Sequence, residues 1–380
     1  MLKILIFLTS FIFLIIIVEI IVNIFFNKIL KRNEFKFDKV IIKDDDLGWK
    51  HKKNKKFFYY HRYLTNSKKF FLETNNFGII DSQDYKFDKK TRKIAIFGDN
   101  SISGFDSDVD SNFITLLRKQ IISTNKNIEI YNFTNRDYCT LQYYNYYKKF
   151  LKTIKFDLIV YIYSHNHSRR NITVHESSKQ KIFTQPLYNF ITKKKITYKK
   201  KISLDDNVFL NKDSKISIKK GNNTSFKIFL YDRSYLFSII YDLIIGKNNL
   251  KKMNFIHDLK NIEKENIDYH WNYTYLILRK WKLLLNKKKV KFVITNIPLY
   301  YNNPYQNHIY RSTISKIKER KKIKSFCKRL KIKFYDNYLS NIKKFYLSKP
   351  YIHNRYAYLN KSGYELFSKK IFNIIKKEIK

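Results

Sequence analysis

The chain has 380 residues, with 77 Lys and Arg against 31 Asp and Glu, and a formal net charge of +46. It is rich in Lys, Asn, Ile, Phe and Tyr and poor in Gly and Pro, which is the bias of an A/T-rich genome, and its basic residues are spread along the sequence. The composition therefore argues against a nucleic-acid partner, which needs a clustered basic footprint, and two cysteines are too few for a disulfide scaffold or a cysteine metal site.

An apolar stretch runs from Ile4 to Phe26 and contains a single charged residue, Glu19. A helix that crosses a bilayer needs about 20 apolar residues, and no small-residue cleavage site of a secretory signal is visible. We therefore predict an uncleaved transmembrane anchor over residues 1–27. Basic residues follow the span, but in so basic a chain the positive-inside rule has little contrast, and the sequence alone leaves the orientation open.

Residues 28–92 are an irregular lead-in with two similar turn fragments, DDDLGWKHKKN (44–54) and TNNFGIID (74–81). Each fragment places a Gly within a turn of mixed polar and apolar residues. We expect short extended pieces that pack against the domain that follows.

Residues 93–171 alternate between predicted strands and predicted helices. The strands are KIAIFGD (93–99), IEIYNF (128–133) and FDLIVYIYS (156–164), and the helices are SNFITLLRKQII (111–122) and TLQYYNYYKKFLKTI (140–154). The third strand is almost wholly apolar, which is typical of a central strand in a parallel sheet. The order predicts right-handed crossovers and a three-layer α/β/α sandwich with a central parallel sheet.

The rhythm breaks at residues 172–265, a Lys- and Ser-rich region that we interpret as an insertion or cap. It carries strand signals at 201–210 and 224–231 and a helical patch at 234–245. The α/β pattern returns over residues 266–380. Predicted helices there cover 272–288, 314–330 and 359–379, and predicted strands cover 291–298 and 332–337.

Four blocks in this order resemble the SGNH/GDSL hydrolases, specifically the branch with one N-terminal membrane helix. They are KIAIFGDNSISG (93–104), YNFTNRDYCTLQ (131–142), FDLIVYIYSHNHSRRN (156–171) and YLNKSGYELFSKKI (358–371). Gly98, Asp99 and Gly104 match the family's first block, and Asn360 and Gly363 match the last. The resemblance implies a flavodoxin-like sandwich that is held by a single-pass anchor, with the soluble domain facing away from the cytoplasm.

The family's chemistry is acyl transfer to water by a Ser-His-Asp triad with an oxyanion hole. Carried over by position, the Ser becomes Asn100, the second-block Gly becomes Asp137, and the Asp and His of the last block become Arg355 and Tyr358. The third-block Asn is retained as Asn166. An amide is no nucleophile, a Tyr with a pKa of about 10 is a poor base at neutral pH, and a guanidinium has no acceptor with which to orient a ring.

Two hypotheses follow. In the first, the protein lacks the triad and uses its cleft to bind an acylated or glycan ligand, or takes part in envelope assembly. In the second, it is an active esterase or acyl hydrolase with Ser101 as a displaced nucleophile and His353 as a displaced base. The alternatives are a turn or N-cap role for Ser101 and an exposed loop position for His353. The substrate and the oligomeric state are left open.

The stretch SHNHS (164–168) places His165 and His167 on either side of Asn166. In a strand the two imidazoles would share a face and could begin a metal site, but no Cys or carboxylate lies close by in the sequence. We therefore predict no metal and no cofactor, and expect both histidines and Asp99 to line the cleft. Whether Cys139 and Cys327 form a disulfide is left open.

Overall fold

The computed structural model describes eighteen stretches of the chain: residues 2–24, 40–60, 69–87, 90–98, 102–104, 107–124, 127–135, 138–164, 167–172, 187–189, 194–196, 207–210, 216–219, 269–297, 309–337, 351–353, 356–359 and 361–380. They belong to two compact units. One unit comprises Met1–Phe35 and Lys199–Ile267, and the other comprises Lys36–Tyr198 and Asp268–Lys380.

The first element is helix α1, Leu2–Ile24. It coincides with most of the apolar run of the sequence. Among the described residues, no helix combines the length and the apolarity that a bilayer crossing requires.

The lead-in forms two antiparallel hairpins. The first consists of β1 (Ile41–Asp44) and β2 (Gly48–His51), and the second of β3 (Lys56–Tyr60) and β4 (Lys69–Glu73). Leu47, Trp49, Ile79 and Tyr85 from this region are buried in the main hydrophobic core. The lead-in therefore packs on the domain as a part of its core.

The first half of the α/β region follows the predicted order. Its elements are β5 (Arg92–Gly98), α2 (Phe113–Ile122), β6 (Ile128–Asn132), α3 (Thr140–Tyr146), β7 (Leu158–Tyr163) and the short helix α4 (His167–Arg170). The helix predicted over 140–154 is α-helical only to Tyr146 and continues as a π-helical turn, Tyr147–Leu151.

Two short antiparallel hairpins are described between the halves of the α/β region. They are β8 (Leu187–Asn189) with β9 (Lys194–Ile196), and β10 (Asn207–Leu210) with β11 (Ile216–Lys219). The strand predicted at 201–210 is thus present in its second part. The strand predicted at 224–231 and the helical patch at 234–245 lie outside the described residues.

The second half contains three long helices, two further strands of the main sheet and one hairpin. Its elements are α5 (Tyr269–Lys287), β12 (Lys291–Asn296), α6 (Ile309–Arg329), β13 (Lys333–Tyr335), β14 (Tyr351–His353), β15 (Tyr356–Leu359) and α7 (Lys361–Ile379). Helix α6 begins five residues before its predicted start at 314.

The central sheet has the strand order β13-β12-β7-β5-β6, and every pairing in it is parallel. Numbered along the chain, this is the doubly wound order 2-1-3-4-5. The predicted α/β class with a central parallel sheet is confirmed.

The two faces of the sheet bury two separate apolar clusters, and strand β7 shows the division most clearly. Leu158, Val160 and Ile162 join the cluster that holds α2 and α7. Ile159, Tyr161 and Tyr163 join the cluster that holds α3, α5 and α6. Since successive strand side chains point to opposite faces, an unbroken apolar strand is the pattern that helices on both sides require.

Candidate functional site

The strand order places a topological switch point at one end of the sheet. From β5 the chain crosses to β6 on one side, while β7 lies on the other side of β5. Ligands of doubly wound folds bind outside the carboxyl ends of the strands at such a switch point. Here Gly98, the last residue of β5, pairs with Ile162 near the end of β7. A ligand crevice is therefore expected where the first and third sequence blocks leave the sheet.

Two glycines of the first block occupy positions where a side chain is unfavourable. A Cβ on Gly98 would lie 2.3 Å from Cδ1 of Ile102 and 3.2 Å from Cβ of Ile162, closer than side chains normally pack. Gly104 has φ +82°, a conformation that L side chains rarely adopt. Glycine therefore meets a conformational requirement at residue 104 and avoids side-chain crowding at residue 98, irrespective of any chemistry that this region supports.

The second block is fastened to the first by backbone and hydroxyl contacts. The Asn135 N–H donates to the Gly98 carbonyl oxygen at 2.9 Å and lies 3.2 Å from the Tyr143 hydroxyl oxygen. That hydroxyl also contacts the Gly98 carbonyl oxygen. The loop after β6 therefore runs beside the turn after β5.

The third block places His167 in the core, where no part of its surface is exposed. Its Nδ1 lies 2.6 Å from the Tyr161 hydroxyl, and that hydroxyl lies 2.9 Å from Oγ1 of Thr140. The imidazole stacks on the Tyr161 ring at 5.8 Å between centroids. Burial raises the pKa of Tyr161 well above its ordinary value. This chain of contacts ties the third block to the second.

His167 therefore differs from the prediction in two respects. It is the first residue of helix α4, so the strand geometry that would have put it on one face with His165 does not extend to it. Because it is fully buried against Tyr161, it lines no open cleft. Among the described residues, no group of three or more His, Cys, Asp or Glu could hold a metal ion.

The fourth block reaches the same end of the sheet. Phe367 in α7 packs on Phe113, the first residue of α2, with ring centroids 5.1 Å apart. At the other end of α7, the Ile379 carbonyl accepts a hydrogen bond from Arg92, the first residue of β5. Helix α7 therefore runs antiparallel to the strands and begins at their carboxyl ends. Strand β15 leads into it there.

Most of the predicted site residues lie outside the described stretches: Asp99, Asn100, Ser101, Asp137, His165, Asn166 and Arg355. Tyr358 lies in β15 and His353 in β14, where the backbone of His353 pairs with that of Tyr356. The elements that flank each block meet at one edge of the sheet. The chemical roles of the individual side chains remain predictions.

Contacts that the sequence did not suggest connect the lead-in to this end of the sheet. The Tyr138 hydroxyl donates to the Trp49 carbonyl at 2.5 Å, and Nε2 of Gln142 donates to the Leu47 carbonyl at 2.7 Å. Both donors belong to the second block. The lead-in thus holds the loop that follows β6.

A buried ion pair completes this attachment. Arg118 of α2 donates from Nη1 and Nη2 to the two carboxylate oxygens of Asp81 at 2.6 and 2.7 Å, and from Nε to the Ile130 carbonyl at 3.1 Å. The Tyr85 hydroxyl donates to the same carboxylate. Burial alone would lower the pKa of Arg118, but the Asp81 carboxylate raises it overall. In the sequence, Asp81 is conspicuous as the last residue of its turn fragment. Nothing marks Arg118 as its partner, because it lies within the apolar pattern of α2.

The two cysteines are separate buried thiols. Neither Cys139 nor Cys327 forms a disulfide, and neither is exposed. Burial raises the pKa of the Cys327 thiol to about 12. A thiol in that state is a poor nucleophile at neutral pH.

No protein-family model matches the sequence, and no curated protein matches it. Solved structures similar to this chain include a psychrotrophic esterase from Pseudoalteromonas sp., at 9% identity, 76% coverage of this chain, 98% coverage of that chain and a TM-score of 0.38. A lipase/acylhydrolase from Enterococcus faecalis matches at 12% identity, 76% and 96% coverage and a TM-score of 0.38. An acetylxylan esterase from Geobacillus stearothermophilus matches at 8% identity, 76% and 95% coverage and a TM-score of 0.41. Because these identities and TM-scores are low, the assignment of the fold class rests on the sheet topology of this chain and not on the similar structures.

Proposed function

We propose that this chain is a membrane-anchored protein of SGNH-hydrolase type that binds an acylated or glycan ligand at the carboxyl end of its sheet without hydrolysing it. The observation that carries the proposal is the meeting of the elements that flank all four blocks at one sheet edge. The residues that the sequence supplies at that edge do not form a triad.

The loss of chemistry follows from residue types. Asn100 stands at the nucleophile position and has no group that can attack an ester carbonyl. Tyr358 stands at the base position, and Arg355, at the position of the orienting carboxylate, can only donate hydrogen bonds. Asp137 would bring negative charge towards a developing oxyanion, which opposes the stabilisation that such a site needs. Binding needs none of these functions.

Anchoring at a membrane rests on the N-terminal sequence. The apolar run extends from Ile4 to Phe26, past Ile24, the last described residue of α1. In α1 the side chains of Phe7 and Phe13 are 69% and 64% exposed. Surface of this kind is stable in lipid and costly in water. The soluble domain then lies on the extracytoplasmic side of a single-pass anchor.

An active esterase built on Ser101 and His353 is the competing function, and ester turnover separates the two. Purified full chain in detergent is assayed with short-chain esters at neutral pH and with a serine-directed fluorophosphonate probe. We expect neither turnover nor labelling, and the variant Asn100→Ser is expected to stay inactive because no base is in place. Turnover that Ser101→Ala abolishes, and that the exposed control Ser325→Ala leaves intact, would overturn the proposal.

Ligand binding has its own readout. A bound ligand raises the unfolding temperature as its concentration exceeds the dissociation constant. We expect acetylated oligosaccharides or acyl esters to raise it, and Arg355→Ala to reduce the shift. A panel of such compounds that leaves the unfolding temperature unchanged would contradict a retained cleft.

A further inference from the structure

The amino ends of the parallel strands carry a dense set of basic residues. Five segments contribute, 90–93, 152–155, 287–291, 328–333 and 376–380, and we call their common surface the amino-edge basic face. Its exposed lysines include Lys90, Lys155, Lys289, Lys291, Lys331 and Lys333. These segments are far apart in the sequence, and the parallel strand order brings them to one edge.

Direct contacts join four of the segments. Arg92 and Lys291 both donate to backbone carbonyls at the end of α7, those of Ile379 and Glu378. Nζ of Lys333 lies 2.9 Å from Oε1 of Glu378. Residues 152–155 lead towards β7. Just before that strand, the Asp157 N–H donates to the Lys93 carbonyl, and the Asp157 carbonyl accepts from the Lys291 N–H. Five strands about 4.8 Å apart make this edge about 20 Å wide.

Among the described residues, three carboxylates meet the face. Glu378 is buried against Lys333, Asp157 accepts a hydrogen bond from the Lys93 backbone, and Glu129 accepts hydrogen bonds from two hydroxyls. Glu378 is the single acidic residue within the five segments. The face therefore keeps a large positive surplus.

Helix ends account for part of this charge. Lysines in the last turn of a helix, such as Lys287, Lys328 and Lys376, are stabilised by the negative end of the helix dipole. That effect does not reach Lys155 or Lys333, which lie next to strand starts, and the side chain of Lys333 is 66% exposed.

The described residues of the opposite edge include acidic groups. At the carboxyl end, Asp108 and Asp110 precede α2, and Asp336 follows β13 in an ion pair with Arg320. A composition bias alone would spread lysine evenly over both edges. Among the described residues, the fold instead gathers lysine at the edge away from the candidate site.

We infer that the amino-edge basic face docks on an anionic lipid surface. The inference rests on the membrane anchoring proposed above: residues 25–39 can span at most about 50 Å, so the domain stays within reach of the bilayer. The basic residues of the face are all lysines except Arg92 and Arg329. Lysine suits diffuse attraction to lipid headgroups, whereas bidentate recognition of a phosphate needs arginine. Among the residues outside α1 whose side-chain exposure is described, the exposed aromatic residues are Phe58 and Phe71, both on the β3–β4 hairpin. No aromatic side chain of the face is among them, whereas single-stranded nucleic acids are typically held by exposed aromatic rings on which bases stack.

The test measures how close each edge lies to lipid. Full chain is reconstituted into vesicles of phosphatidylcholine, or of phosphatidylcholine with phosphatidylglycerol, that contain an acceptor-labelled lipid. A donor dye is placed at Asn286→Cys, beside the face, or at Asp110→Cys, at the opposite edge; both positions are exposed, whereas Cys139 and Cys327 are buried. We expect phosphatidylglycerol to raise energy transfer from residue 286 and not from residue 110, and high salt to erase the difference.

Charge variants identify the surface responsible. The test variant combines Lys155→Gln, Lys287→Gln, Lys328→Gln and Lys380→Gln. The matched control changes four exposed lysines elsewhere, Lys321→Gln, Lys324→Gln, Lys361→Gln and Lys369→Gln. We expect the docking equilibrium to fall about fivefold per lysine removed from the face and far less in the control.

Each failure is distinguishable. A chain that does not float with phosphatidylcholine vesicles in high salt overturns the anchoring and, with it, the docking. A chain that floats but shows equal transfer from both edges, or equal losses in both variants, overturns the docking alone. Release of the face from phosphatidylglycerol by duplex DNA at equal phosphate concentration would assign it to nucleic acid and overturn the lipid proposal.

Discussion

Removal of the Asp81 charge should destabilise the protein more than any exposed charge change. Arg118 is 7% exposed, and its guanidinium bonds both oxygens of Asp81. In Asp81→Asn this buried cation loses its counter-charge and keeps only neutral acceptors, the Ile130 carbonyl and the single oxygen of the new amide. Breaking one side of a buried ion pair costs about 3–5 kcal/mol because the remaining charge is left uncompensated. Arg118→Met should cost a similar amount, since it strands the Asp81 carboxylate with the Tyr85 hydroxyl.

The assay is urea unfolding of the full chain in detergent, followed by the fluorescence of its three tryptophans, of which Trp49 reports on the lead-in. Glu73→Gln serves as the control, because its ion pair with Lys56 is long, at 3.9 Å, and the Lys56 side chain is 73% exposed; we expect it to cost at most about 0.5 kcal/mol. The double variant Asp81→Asn with Arg118→Met should cost clearly less than the sum of the two single changes. A cost for Asp81→Asn no larger than that of Glu73→Gln would refute the reasoning.

Three further predictions concern other buried positions. Gly98→Ala should destabilise the protein by about 1–3 kcal/mol through overpacking, and adding Ile102→Val, which removes the clashing Cδ1, should recover part of the loss of urea midpoint; no recovery would exclude this clash as the cause. Because burial raises the pKa of Cys327 to about 12, iodoacetamide should modify Cys139 and Cys327 in urea but not in the native protein at pH near 8, and mass spectrometry showing rapid native modification would contradict their burial. Burial alone would raise the pKa of Glu378, but its hydrogen bonds lower it overall. This carboxylate therefore stabilises the fold above about pH 4.5, and the contribution is lost as pH falls through the folded pKa. Glu378→Gln should lower the urea midpoint at pH 7 and flatten its dependence on acid pH; an unchanged acid profile would count against the contacts of Glu378.

Local patterns were sufficient to predict most of the sheet. The apolar run of β7 and the apolar spacing of α2 carry their information within a few residues, so their bounds agree with the structure to within two residues. The end of a strand is harder to predict than its interior, because the apolar pattern does not show at which residue the following turn begins. His165 and His167 would share a face only if the strand continued past its predicted end at Ser164, whereas β7 ends at Tyr163 and His167 begins α4.

Long-range features were beyond the sequence. Asp81 and Arg118 are 37 residues apart, and nothing local indicates that a turn carboxylate meets a helical guanidinium. The amino-edge basic face was likewise not predictable. Lysines are spread along the whole sequence, and their spacing does not show which of them the parallel strands bring to one edge. The candidate site was predicted in outline through the resemblance of four blocks; the contacts that hold its loops, such as those of Tyr143, were not.

The contribution of the lead-in to the core bears on how this protein can be produced. Leu47 is fully buried and accepts a hydrogen bond from Gln142, and Val40 accepts one from Lys52. A fragment that starts at the first sheet strand, near residue 92, would leave a gap where Trp49 and Tyr85 belong. An expression fragment without the N-terminal helix should therefore start no later than residue 40.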